Sequence, residues 1–176
     1  MMKYFIMESS KNVEEYVSIK TGTKDFSKAC QMSEFQFFDD KPITLEVDED
    51  SGIIFQDFIY DQGVPVISDR LKDSLDSLGV DYLLYKKMTL TKAKTGVEEV
   101  YWLGLPPRIN CLNREESEID EILNVADEIV INDDKTGRYE MFKLAGVGNL
   151  EIVLSERIAM AIKESNFIGI HIYKVD

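Results

Sequence analysis

Hydrophobic and polar residues recur along this chain in patterns that predict short strands. The segment KYFIM at 3–7 is short and mostly apolar. The segment EEVYWLGL at 98–105 is also mostly apolar and ends at two consecutive prolines. Both patterns are typical of strands, because proline cannot continue a central strand. The stretch 168–173 alternates isoleucines with smaller or polar residues, which indicates a half-buried strand. Two further strands are predicted over 80–90 and 127–132.

Two segments combine a serine, an acid and an arginine with an apolar stripe of helical period. They are VISDRLKDSLDSL at 66–78 and VLSERIAMAIKES at 153–165. Ser68 and Ser155 are suited to cap these helices, because a serine hydroxyl accepts a hydrogen bond from a free first-turn amide. The apolar residues of each segment recur three and four positions apart, so they lie on one helix face.

The flanks of the two helical segments are also similar and predict an internal duplication. After the first helix, LLYKK at 83–87 resembles HIYKV at 171–175, which follows the second. The predicted repeat units span residues 45–90 and 129–175. Two copies are too few for a solenoid, which needs about three or more repeats.

An acidic stretch precedes each predicted helix. These stretches are VDEDSG at 47–52 and INDDKTG at 131–137. Glycine tolerates positive φ, so we expect each stretch to form a hairpin turn that ends in Gly52 or Gly137. The turns lack the ligand spacing of a calcium-binding EF-hand loop, so we expect solvated turns and no metal site.

Together these elements predict an α+β fold. We expect a single domain over residues 1–176, in which the two strand–helix–strand units share a mostly antiparallel sheet. No linker rich in glycine, serine or proline divides the chain. Residues 10–40 carry aromatics without a steady period and predict a loop with short helical pieces. Residues 109–120 are polar and irregular.

The charge balance indicates what kind of partner the chain binds. It has 33 acidic against 20 basic residues and a formal net charge of −13. Such a chain repels phosphate backbones, so we expect no nucleic-acid binding, and it attracts a basic partner. Acids that cluster along the sequence are the candidate partner contacts: Asp39, Asp40, Asp48, Glu49, Asp50, Glu115, Glu116 and Glu118.

The cysteines and the apolar runs predict a cytoplasmic protein. Cys30 and Cys111 stand in an acidic chain whose N-terminus is too short in apolar residues for a secretory signal. No apolar run approaches the roughly 20 residues that span a membrane, so no membrane interaction is expected.

Residue types that carry catalysis or hold cofactors are sparse. His171 is the only histidine, and no zinc-ligand spacing or phosphate-binding glycine motif occurs. We therefore expect neither a cofactor nor a catalytic site. Arg70 and Arg157 lie in the first turns of their helices, where a cation opposes the helix dipole. Each arginine is expected to pair with a nearby carboxylate or carbonyl and hold its unit together, or else to contact a partner.

Three stretches together resemble a known family. They are VISDRLKDSLDSLGVDYLLYKKMTL at 66–90, YWLGLPPRINCLNREESEID at 101–120 and YEMFKLAGVGNLEIVLSERIAMAIKES at 139–165. This combination is similar to the bacterial polymorphic-toxin immunity proteins of immunity family eleven, formerly known only as a domain of unknown function. The resemblance implies a cytoplasmic protein that binds and blocks the toxic domain of a cognate toxin without turnover or cofactor. It carries over no toxin-contact residues.

Two other functions remain open at this point. The chain could be a small enzyme that uses carboxylates alone, in which case two or more carboxyl groups with shifted pKa would meet in a pocket. It could also be an adaptor or assembly subunit that associates with itself through the duplicated halves. The charge favours a basic toxin, and a nuclease is one such toxin.

Overall fold

The computed structural model describes residues 2–38 and 40–175. Its helices are α1 (Lys24–Met32), α2 (Asp69–Ser77) and α3 (Glu156–Glu164). Its strands are β1 (Tyr4–Ser9), β2 (Ile43–Glu46), β3 (Phe58–Asp61), β4 (Val64–Ile67), β5 (Leu84–Lys92), β6 (Val97–Leu105), β7 (Arg108–Ile109), β8 (Glu118–Asp120), β9 (Val125–Glu128), β10 (Met141–Leu144), β11 (Ile152–Ser155) and β12 (Ile170–Lys174). The predicted α+β class is confirmed.

The chain divides into two compact units. The first unit comprises residues 1–8, 106–166 and 172–176, and the second comprises 9–105 and 167–171. Each unit is assembled from segments that are far apart in sequence. The prediction of one domain over residues 1–176 stays a prediction.

The first unit contains a five-stranded sheet in the order β12-β1-β11-β10-β7. β11 pairs antiparallel with both β1 and β10, whereas β7 is parallel to β10 at the edge. Helix α3 follows β11 and buries Ile158, Ala159 and Ile162. The core cluster of this unit also includes Ala126 of β9 and Ile129, which follows β9.

The second unit contains a five-stranded sheet in the order β2-β5-β6-β4-β3. Its strands are antiparallel except that β2 runs parallel to β5. Helix α2 follows β4 and buries Leu71 and Leu75, two members of its predicted stripe. Helix α1 lies within the segment 10–40, whose other described residues form loops and one short turn of 3-10 helix, as predicted.

The two halves of the chain do not share one sheet, so this part of the prediction is wrong. Their strand orders are nevertheless comparable. In the second unit the run is β5-β6-β4-β3, and in the first unit it is β12-β1-β11-β10. The N-terminal strand β1 thus takes the position beside β11 that β6 takes beside β4. The duplication itself stays a prediction.

The acidic stretches do not form hairpin turns, which corrects a second expectation. Residues 48–51 follow β2, which pairs with β5, and residues 133–137 precede β10, which pairs with β7 and β11. Gly137 has the expected positive φ of 59°, but Gly52 does not lie in that region. Gly52 is needed for space, because a Cβ there would lie 2.2 Å from the carbonyl carbon of Glu15.

Several strand boundaries also differ from the sequence prediction. The strand expected over 80–90 begins at Leu84, because Gly79 and Val80 close helix α2 through backbone bonds to its last turn. The strand expected over 127–132 is β9 at Val125–Glu128. No helix in the described part of the chain is long and apolar enough to cross a membrane.

Candidate acidic binding surface

The acids predicted to contact a partner fall in separate segments of the structure. Asp39 lies outside the described residues, and its neighbour Asp40 is exposed. One group lies in the turn after β2 in the second unit: Asp48, Glu49 and Asp50. The other group lies in the first unit, at and before β8: Glu115, Glu116 and Glu118.

The acidic turn uses its carboxylates partly for its own structure. The Asp48 carboxylate accepts a hydrogen bond from the amide of Asp50 at 3.1 Å. The Glu49 carboxylate accepts one from the backbone amide of Lys94 at 2.9 Å. Asp50 lies 4.0 Å from the ammonium of the same lysine, and its side chain is 95% exposed. Much of the charge in this turn is therefore already engaged or compensated.

The second group of acids belongs to a two-stranded element. We call residues 115–128, which include β8 and β9, the acidic ribbon. Its strands are antiparallel, with Glu118 opposite Glu128 and Ile119 opposite Ala126. Ile119 and Ala126 pack into the core cluster of the first unit. A lone two-stranded ribbon is only marginally stable in water, so this packing is what holds it in place.

The acidic ribbon carries an unusual concentration of uncompensated charge. It contains seven acids and no lysine or arginine within its 14 residues. The acids are Glu115, Glu116, Glu118, Asp120, Glu121, Asp127 and Glu128. Across residues 2–38 and 40–175, none of these seven forms an ion pair. The ribbon is therefore a strongly negative part of the first unit.

Two large apolar side chains stand at the end of this ribbon, and sequence reasoning missed both of them. Ile122 is 94% exposed and Leu123 is 70% exposed. Another exposed isoleucine, Ile53, follows the acidic turn of the second unit and is 82% exposed. An adjacent Ile-Leu pair within an acidic run was the available signal, but a short strand pair gives too weak an alternation to place it on a turn.

The serine–acid–arginine segments each enclose a carboxylate. In the second unit, Asp57 accepts hydrogen bonds from the Ser68 hydroxyl at 2.7 Å, from Arg70 at 2.5 Å and from the Ile168 amide at 2.8 Å. Burial raises the pKa of Asp57, but these three donors outweigh burial and leave that pKa below its ordinary value. The Ser68 hydroxyl also caps helix α2 by accepting from the amide of Leu71.

The first unit repeats this arrangement with different residues. Glu140 accepts hydrogen bonds from Ser155 at 2.9 Å and from the Nε of Arg157 at 2.9 Å. The Arg157 guanidinium lowers the pKa of Glu140 below its ordinary value. Ser155 caps helix α3 through the amide of Ile158. Each arginine thus ties its helix to a carboxylate that lies one residue before a strand. Asp57 precedes β3, and Glu140 precedes β10.

The carboxylates with shifted pKa are each engaged by an arginine. Within the described chain these are Asp57 and Glu140, and an arginine binds each of them. A groove of about 400 Å³ in the first unit is lined mainly by apolar side chains. A smaller groove of about 270 Å³ includes Asp127, Glu128 and Glu151 among its lining residues. His171 is exposed on β12.

The chain combines an α+β fold with an acidic two-stranded ribbon, and comparison with known families identifies the group to which it belongs. The model of the immunity protein family (Imm11) matches residues 6–176. The chain belongs to this family, which connects it with toxin immunity. Immunity protein families are generally non-enzymatic. No curated protein matches the chain.

Proposed function

We propose that this chain is an immunity protein that binds a cognate bacterial toxin domain in the cytoplasm of the producing cell. One copy neutralises one toxin domain by covering it, and no cofactor or turnover is involved. Family membership supports this role. The observation that carries the binding site is the acidic ribbon, whose seven acids have no ion-pair partner in the described chain.

The acidic ribbon takes precedence over the acidic turn as the toxin contact. Asp48 and Glu49 accept hydrogen bonds within their own unit, whereas Glu115, Glu116 and Glu118 are exposed. Carboxylates that are free of internal partners can pair with a toxin without first breaking bonds. Of the other candidates, Asp40 and Asp50 are also exposed and form a second, weaker set.

A negative ribbon of this kind acts first on the rate of association. Complementary charges steer encounter and raise association rate constants by about 10- to 1000-fold at low salt. The toxin domain would then be basic. Nucleases bind polyanionic substrates through basic surfaces, so a nuclease is the toxin class that the negative charge of the ribbon favours.

The test measures association with the purified toxin domain encoded by the neighbouring gene, over a range of salt concentrations. The triple variant Glu115→Gln/Glu116→Gln/Glu118→Gln should associate about tenfold more slowly at low salt and show a weaker salt dependence. A control variant removes three exposed acids of the second unit that are not candidate contacts, Asp73→Asn/Asp81→Asn/Glu98→Gln, and should change the rate about twofold or less.

Different outcomes reject different parts of this proposal. A salt-independent association rate for the unmodified protein would reject electrostatic steering. If the protein neither binds the toxin domain nor protects cells that produce it, the immunity function is wrong. If the control variant slows association more than the ribbon variant does, the binding surface lies on the second unit.

A further inference from the structure

The turn at the end of the acidic ribbon exposes two apolar side chains, although exposed turns usually carry polar residues. Ile122 and Leu123 are adjacent in sequence and are 94% and 70% exposed. Single exposed apolar residues are common on protein surfaces. Two neighbouring aliphatic side chains at a turn, preceded directly by Asp120 and Glu121 and followed after three residues by Asp127 and Glu128, form a small apolar patch instead.

The backbone of this turn is held in one conformation by polar side chains and by the adjoining loop. The Asp120 carboxylate accepts hydrogen bonds from the amides of Ile122 at 2.8 Å and Leu123 at 2.9 Å. Asn124 has a positive φ of 52°, and its carbonyl accepts a bond from the Gly148 amide at 2.7 Å. A turn that is ordered before binding loses less conformational entropy when it binds.

The adjacent strand of the ribbon is anchored by a buried side chain. The Asn149 amide group donates to the carbonyl of Ala126 at 3.0 Å and accepts from its amide at 2.7 Å. Asn149 is only 6% exposed, so this pair of bonds is shielded from water. The Ile122–Leu123 pair therefore lies at the end of a ribbon whose second strand is held by Asn149.

The charges along the ribbon specify the surface that it fits. Glu121 adjoins Ile122 in sequence, and Glu118 and Glu128 lie directly opposite each other at the strand ends away from the turn, where like charges destabilise a strand pair. A partner with basic side chains along the ribbon would relieve this repulsion. The same partner would need an apolar depression for Ile122 and Leu123.

We infer that the Ile122–Leu123 turn inserts into an apolar pocket of the toxin domain whose rim is lined by lysine or arginine. This inference rests on the proposed function and adds to it the chemistry of the toxin surface. The aliphatic pair supplies the desolvated anchor, and the surrounding carboxylates pair with the rim.

Charge decides between this partner and the other occupants of an exposed apolar turn. A second copy of the chain would bring two ribbons together, each with seven acids and no basic residue. Nucleic acid and anionic membranes are also negative and are repelled in the same way. A basic protein surface is the complementary occupant.

The experiment compares dissociation constants for the purified toxin domain encoded by the neighbouring gene. The variant Ile122→Ser/Leu123→Ser should bind at least about 30-fold more weakly, as expected for truncation of central anchor residues. Its salt dependence should match that of the unmodified protein, because no charge has changed. The matched control Ile53→Ser removes an isoleucine that is 82% exposed beside the acidic turn and should change affinity about twofold or less.

A second measurement locates the turn in the complex directly and does not depend on loss of affinity. Cys30 and Cys111 are buried, so the Ile122→Cys variant gains an accessible thiol for a polarity-sensitive maleimide dye. Emission should shift to the blue when the toxin domain binds, and the same dye on an Ile53→Cys variant should not respond.

Each further outcome has a defined meaning. If the serine variant binds the toxin as tightly as the unmodified protein and the dye at 122 stays solvated, the pocket inference is wrong while the immunity function stands. If light scattering shows a dimer that the serine variant dissociates, the turn binds a second copy and the inference is also overturned. If the unmodified protein does not bind the toxin, the proposed function fails as well.

Discussion

At the scale of single residues, Asp57 is the carboxylate that the serine and arginine of the first helical segment bind. Its carboxylate binds Ser68 and Arg70, which lie 11 and 13 positions later in the chain. The side chain of Asp57 is 10% exposed, whereas that of Arg70 is 54% exposed. The carboxylate is thus the buried member of the pair, and its bonds replace the water that it gave up.

Replacement of this carboxylate should destabilise the protein. We expect Asp57→Asn to lower the free energy of unfolding by about 2 kcal/mol, because it removes charged hydrogen bonds at a nearly buried site. Glu46→Gln is the control, since Glu46 forms an exposed ion pair with Lys20 and its loss should change the stability little. Urea denaturation at neutral pH measures both. Equal losses in the two variants would contradict the role of Asp57.

The lowered pKa of Asp57 also predicts how this stabilisation depends on pH. A carboxyl group with a folded-state pKa below its unfolded value stabilises the fold above about pH 4. That stabilisation is lost as the pH falls through the folded-state pKa. The stability difference between the unmodified protein and Asp57→Asn should therefore shrink in acid. A difference that stays constant down to low pH would show that the charge of Asp57 does not contribute.

The sequence predicted that Arg70 and Arg157 would each pair with a nearby carboxylate or carbonyl, but it did not say which one. Asp57 lies 13 residues before Arg70, and Glu140 lies 17 residues before Arg157. The intervals differ because the loops between the paired strands differ in length. Antiparallel pairing of β3 with β4 and of β10 with β11 brings the residues together, and pairing is a tertiary property.

At the scale of secondary-structure elements, the acidic ribbon depends on a residue outside it. The Asn149 side chain bonds both backbone groups of Ala126, which faces the core of the first unit. The segment Gly146–Gly148 also meets the ribbon, because the Gly146 carbonyl accepts from the side chain of Asn124. These contacts give the Gly-Val-Gly segment a structural role.

Loss of the Asn149 amide should loosen the acidic ribbon before it loosens the rest of the protein. Asn149→Ala leaves two buried backbone groups without a partner, each of which costs about 1–3 kcal/mol. Hydrogen exchange at Ala126 and its ribbon neighbours should accelerate much more than exchange at Leu103 in the second unit. Asn12→Ala, at an exposed turn, serves as the control and should leave the exchange of the ribbon unchanged. Uniform acceleration throughout the chain would contradict local support by Asn149.

The helices show where sequence reasoning works well. Ser68 and Ser155 accept from the amides of Leu71 and Ile158, and the apolar stripes face the interior. Capping and periodicity are local properties, so adjacent residues determine them. The acidic ribbon was not predicted because its strands are three and four residues long and mostly polar.

At the scale of the whole molecule, the division into two units raises the question of cooperative unfolding. The chain passes between the units at residues 8–9, 105–106, 166–167 and 171–172. Strands β1 and β12 each span one of these boundaries. Because continuous strands connect the units, we expect them to unfold together, as the single-domain prediction requires.

The single tryptophan allows a direct test of this expectation. Trp102 lies in the second unit, and Leu154 is fully buried in the first. Leu154→Ala should cost about 3 kcal/mol. With one cooperative domain, the urea midpoints of tryptophan fluorescence and circular dichroism should fall together. If the fluorescence midpoint stays in place while part of the circular dichroism signal is lost earlier, the units are separate domains. The control Leu103→Ala, within the second unit, should move the fluorescence midpoint in either case.

The sequence by itself determined the α+β class, the capped helices α2 and α3, and the net negative charge. These follow from local periodicity, capping chemistry and composition. Only the tertiary structure decided that the strands form separate sheets, with β1 beside β11, and that Gly52 is required for close approach to Glu15. The tertiary structure also decided that Ile122 and Leu123 are exposed. Each of these depends on contacts between residues far apart in sequence, which local patterns do not encode.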